Sequence, residues 1–144
     1  MGHKMGSKKS LSRLILAAAL LSLAPVAVAA PKEPVASPEV QKEFASFIEK
    51  FRAALKANDL KAVTSLTKLP FMSHTDEYDA AAFQAKVYKK EFTAKTRACI
   101  QRSKAVYSRS PDKTESYVIF CGEELFSFTK TSTGFLFSDI SAND

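Results

Sequence analysis

Residues 104–140 read KAVYSRSPDKTESYVIFCGEELFSFTKTSTGFLFSDI. Four runs within them are rich in Phe, Tyr, Val and Ile: 104–108, 116–121, 125–130 and 135–140. Such residues fit a pleated, half-buried surface, so each run predicts a strand. Ser110-Pro111-Asp112-Lys113, Cys121-Gly122-Glu123 and Thr131-Ser132-Thr133-Gly134 supply turn chemistry between the runs. Links this short join antiparallel neighbours only. The expectation is a curved, cone-like four-stranded antiparallel meander with the upstream chain packed on it.

That upstream chain reads as helices. Ser37 is placed to cap the first, with Pro38 at its first position and Glu39 in its first turn. Val40, Phe44, Phe47, Ile48, Phe51 and Leu55 then form one apolar stripe at helical spacing. Three Phe on one stripe suit a packing face better than a ligand box. Asn58-Asp59 breaks the helix, with Asn58 suited to a left-handed cap. Leu60, Val63 and Leu66 mark a short second helix, which Pro70 stops. Residues 71–74 read as a short extended segment and 75–78 as a polar turn. Asp79 caps a third helix over 80–91 with Phe83 and Val87 inward. Thr93 caps further turns to Arg102. The fold class is α+β, in a single domain over 38–144.

The start of the chain has a different character. Lys4, Lys8, Lys9 and Arg13 precede an apolar run over 14–23, and Ala27-Val28-Ala29 offers a small-x-small cleavage site. Basic, apolar, then small is the layout of a secretory signal, here 1–29. A Pro-rich leader follows over 30–37. The apolar run is about half of the roughly 20 residues that span a bilayer, so no stable membrane anchor is expected. Loss of the signal removes four basic residues and no acidic one, taking the net charge from +6 to +2. The basicity is therefore mostly targeting, and no nucleic-acid partner is implied. The expected location is periplasmic or secreted. Cys99 and Cys121 are the two cysteines, and an even count in an exported chain predicts a disulfide.

The order helix, helix, short extended segment, helix, sheet resembles the nuclear-transport-factor-2-like superfamily, also called cystatin-like cone folds. The residues that carry the resemblance are Phe51-x3-Leu55-x3-Asp59-Leu60, then Leu69-Pro70-Phe71, then 83–92 and the sheet. It implies a curved sheet wrapping the first helix, with an open end that often holds a ligand. It does not choose among isomerases, dehydratases, cyclases, association modules and non-catalytic binders, because a scaffold does not dictate its chemistry.

Candidate chemistry is sparse. His74 is followed by Asp76, and an Asp beside a His can orient it for proton transfer. The simpler reading is an exposed loop His next to the acidic group Asp76, Glu77 and Asp79. Asp139 shares a face with Phe135 and Phe137 by the two-residue period, which makes it a candidate pocket acid. Tyr117, Phe128 and Phe137 would give the inner wall an apolar character fit for packing or for an apolar ligand. Arg97 and Arg102, with Lys104 and Arg109, form a basic run able to meet an anion or an acidic partner. Otherwise that run is a solvated face. No glycine-rich phosphate loop, Cys-x-x-Cys pair or His-Glu-x-x-His helix occurs, so neither a cofactor nor a metal is expected. Three functions follow in order of preference. The first is an exported non-catalytic binding or interaction domain, with a homodimer through the outer sheet face as one form. The second is a small cone-fold enzyme of isomerase or dehydratase type using His74, Asp76 or Asp139. The third is an inhibitor or immunity-type protein acting through the basic face.

Overall fold

The computed structural model describes Gly2 and residues 26–143. The expected export signal over 1–29 lies mostly outside the described residues; residues 26–31 carry no helix or strand. Lys32–Asp144 forms one unit.

Helix α1 (Pro38–Lys56) starts as its sequence requires. The Ser37 hydroxyl accepts the Val40 amide at 3.3 Å, and Pro38 needs no partner in the first turn. Its buried residues are Val40, Phe44, Phe47, Ile48, Phe51 and Leu55, the apolar stripe, together with Ala54. Asn58 takes a left-handed φ of +50° just beyond the helix. Asp59 then caps α2 (Leu60–Ser65), accepting the Ala62 amide at 3.0 Å.

The next segment departs from expectation. Residues 67–73 form a full strand, β1 (Thr67–Ser73), and the expected polar turn is partly strand β2 (Asp76–Tyr78). The C-terminal strands are β3 (Val106–Arg109), β4 (Glu115–Cys121), β5 (Glu124–Thr131) and β6 (Gly134–Ala142). They pair in sequence order as antiparallel neighbours. The sheet is nevertheless six-stranded and mixed, in the order β2-β1-β6-β5-β4-β3, with β1 parallel to β6. The four-stranded antiparallel meander is thus corrected. β6 would otherwise leave a long free edge of backbone donors and acceptors, and β1 satisfies it. The β1–β6 register slips between Thr67 and Met72, around Pro70, which has no N–H to give the ladder.

A second irregularity lies between β5 and β6. Phe128 pairs with Phe137 and Ser127 with Asp139, which leaves Ser138 as one extra residue. Its hydroxyl is taken up by Thr129 Oγ1 at 2.8 Å and by the Ser127 carbonyl at 3.1 Å. One inserted residue exchanges the faces of everything after it. Phe135, Phe137 and then Ile140 are buried, while Asp139 is not among them. The expectation that Asp139 shares the face of Phe135 and Phe137 is therefore overturned by the bulge.

The third helix is present over the expected span but is not uniform. Asp79 caps α3 (Ala80–Ala82) through the Ala82 amide at 2.7 Å. A π-helical segment (Phe83–Tyr88) follows, then α4 (Lys89–Glu91). Thr93 caps α5 (Ala94–Arg102). Cys99 of α5 and Cys121 of β4 are disulfide-bonded, with Cα atoms 5.9 Å apart.

Aromatic rings fill the space between α1 and the inner sheet face. Phe137 lies at their centre, 5.0 Å from Phe71, 5.4 Å from Phe51 and 5.6 Å from Phe128, measured between ring centroids. Tilted and edge contacts at these distances suit the ring quadrupoles. Among the described residues no buried side-chain nitrogen or oxygen lacks a hydrogen bond.

Candidate binding site

A groove of about 600 Å³ runs beside the N-terminal half of α1. One wall is α1 itself, through Phe44, Ala45 and Ile48; the other is the connection from α5 to β3, residues 102–105. Phe44 lies flat against Tyr117, with ring centroids 3.8 Å apart and an 8° interplanar angle. Tyr107 meets Tyr117 edge-on at 5.4 Å and donates its hydroxyl to Glu115 Oε1 at 2.8 Å. Together these rings line the groove's inner end.

Arg52 holds the far wall in place. Its Nε donates to the Ile100 carbonyl at 2.9 Å and its Nη2 to the Ser103 carbonyl at 2.6 Å. These are carbonyls at the end of α5, which a helix terminus leaves without internal partners. Gln101 returns a bond to the Arg52 carbonyl at 2.7 Å. Arg102 and Lys104 stand exposed on either side of the anchored Ser103. Among the described residues the charged side chains lining the groove are Arg52, Arg102 and Lys104, and no carboxylate lines it.

Two of the residues read from the sequence as binding candidates, Arg102 and Tyr117, come together here. Arg97 is elsewhere: its guanidinium donates to the Phe92 carbonyl at 2.9 Å and ties α5 to the turn before it. Phe128 and Phe137 are completely buried and packed on other rings. Met72, Val106 and Phe120 leave 40 to 47% of their surface open.

The acid–base candidates occupy another region. His74 is exposed, in the two-residue turn between β1 and β2, at a φ of +55°. Asp76 opens β2 and is exposed, with the Tyr78 hydroxyl 3.4 Å away. Asp139 is half-buried. Burial pushes its carboxyl above the ordinary value, while the Ile140 amide, the Ser141 hydroxyl and the charge of His74 hold it down. Glu124, which sequence reasoning missed, also rises. Burial is the main cause and the Glu91 carboxyl adds to it, against the opposing charges of Lys90 and His74. Lys90 pairs with Glu91 at 2.9 Å. The two-residue period does place Glu124 on the inner face with Phe126 and Phe128. Its partner Glu91 is distant in sequence and left no local sign. Among the described residues no group of three His, Cys, Asp or Glu could hold a metal ion.

No protein-family model matches this chain, and no curated protein is significantly similar to it.

Proposed function

We propose that this protein is an exported, non-catalytic binding module on a nuclear-transport-factor-2-like scaffold, and that it engages its partner at its surface. The observation that carries this reading is the contrast between a filled interior and an open, basic groove. Phe51, Phe126, Phe128 and Phe137 have no exposed surface, so the space where a cone fold keeps a ligand is taken up by side chains. The groove is instead concave, partly apolar and bordered by a few cations, which is the usual form of a small-ligand site. The Cys99–Cys121 disulfide favours an oxidising compartment, and the basic, apolar, small-residue start of the chain favours export to one. Among the described residues no helix is long and apolar enough to cross a membrane.

The test is to incubate the protein with enones, hydroxyacyl thioesters and apolar carboxylates, and to recover each compound afterwards. The reading expects saturable binding with every bound compound recovered unchanged. Turnover that His74→Ala or Asp139→Asn abolishes would overturn it.

That outcome would establish the second reading, a small acid–base enzyme. What favours it is the half-buried carboxyl of Asp139, raised above its ordinary value, with His74 near enough for its charge to be felt. Its weakness is position, since the bulge takes Asp139 off the face that carries Phe135 and Phe137.

A further inference from the structure

We propose that the groove between α1 and the α5–β3 connection binds a small amphipathic carboxylate, with an apolar body and a single anionic head. The proposal rests on the binding-module reading and names the ligand class and the residues that choose it. The volume of about 600 Å³ lies within the range of sites that enclose small organic molecules. Val35, Ala45 and Tyr107, which keep surface open to solvent, give the body an apolar wall over the buried Phe44 and Ile48. Arg102 and Lys104 give the head two cations; among the described residues no acidic residue lines the groove, and the nearby Glu115 carboxylate is taken up by the Tyr107 hydroxyl at 2.8 Å. A guanidinium presents paired donors that match a carboxylate.

The cations are also well mounted. They flank Ser103, whose carbonyl is pinned by Arg52 at 2.6 Å. The backbone that carries them is thus ordered before a ligand arrives, which lowers the cost of binding. Other occupants fit less well. A cationic amphiphile meets like charge. A fully apolar molecule leaves both cations unanswered. A simple anion such as acetate gains only exposed ion pairing, which is worth little.

The experiment is a titration of the purified, disulfide-intact, 15N-labelled protein with decanoate below its micelle concentration, read by amide chemical shifts. Decyltrimethylammonium, decanol and acetate are the comparison arms. Decanoate is expected to bind saturably, with the largest shifts at Ala45, Ser103 and Ala105. Decanol should bind about threefold more weakly, the scale of a lost exposed ion pair. Acetate and the cation should produce no saturable shift. Arg102→Glu with Lys104→Glu should weaken decanoate binding about tenfold, because each site loses an exposed attraction and gains a repulsion of similar size. Both residues are exposed, so an unchanged spectrum outside the groove confirms that the fold survives. Ala45→Trp, also at an exposed position, should block the groove and abolish binding. Equal binding of decanoate and the cation overturns the proposal. So does binding that survives both variants, or shifts centred away from the groove. Any of these leaves the binding-module reading standing, because that reading does not depend on this groove or this ligand class and is overturned by chemical conversion of a bound compound.

Discussion

Phe44 and Phe51 stand about two turns apart on the same face of α1 and serve different ends. Phe51 is enclosed by rings on every side: Phe47, Phe92, Phe128 and Phe137. Phe44 is also buried and meets four rings, Phe47, Tyr117, Phe128 and Phe135, but its turn of the helix borders a groove open to solvent. The apolar stripe is continuous, so the pattern of residues does not separate the two. What separates them is what the chain lays opposite. Phe92, just after α4, meets Phe51 in the C-terminal half, whereas the N-terminal half is flanked by Phe135 of β6 and by the 34–36 leader and the anchored connection after α5, the last two lining the groove. One half of the helix therefore supports the fold, and the other also presents a surface.

The sharpest way to break this contrast is to truncate both rings. Phe51→Ala should cost about 3–5 kcal/mol, the range for a large ring removed from a closed core. Phe44→Ala should cost less, about 3 kcal/mol at the lower end of that range, because one side of its site borders the groove. Equilibrium denaturation measures both, and equal losses would erase the distinction.

Replacing Cys99 and Cys121 together by Ser comes next. The bond closes a separation of 22 residues, so the loss should be about 3 kcal/mol in a chain-entropy account. The denaturation midpoint of the reduced protein should agree with that of the double variant, and that of the oxidised protein should lie above both. If reduction costs almost nothing, α5 and the groove wall it carries are held by packing alone.

Arg52→Ala should cost about 1–3 kcal/mol, because two carbonyls at the end of α5 lose their donor. Amide exchange should quicken over residues 103–105 and not in β5. Uniform quickening would mean that Arg52 supports the core and not the groove wall.

The smallest expected effect is at Glu124. Glu124 is raised from its ordinary 4.5, first by burial and then by Glu91. The fold therefore favours its neutral form. That contribution is complete below the ordinary glutamate value and is lost as pH rises through the raised one. Glu124→Gln should be more stable than the parent at neutral pH by less than about 1 kcal/mol, with the gain gone near pH 3. Thermal melts across that interval check the sign.

Much of the helical half was legible in the sequence, because its determinants are local. Ser37-Pro38 marks the start of α1, the stripe names its buried residues, and Asp59, Asp79 and Thr93 are the observed caps. The tight turn at Gly122, with φ +71°, was legible for the same reason. The parallel pairing of β1 with β6 was not, since no turn announces partners so far apart. Nor was the bulge at Ser138, which an alternating pattern ending in Ser-Asp-Ile does not disclose. That single residue moved Asp139 out of the expected wall. Of the candidate site, Arg102 and Tyr117 were legible by residue type alone. The Arg52 anchor was missed because an Arg on the polar side of a helix ordinarily reads as solvated.

The most direct test is the set of intermolecular nuclear Overhauser contacts from bound decanoate to the aromatic rings. A sealed interior with a working groove predicts contacts to Tyr107, Tyr117 and the methyl of Ala45, and none to Phe128 or Phe137. Contacts to Phe128 and Phe137 would show that the interior opens to the ligand, and would contradict the division of α1 into a closed half and a presenting half.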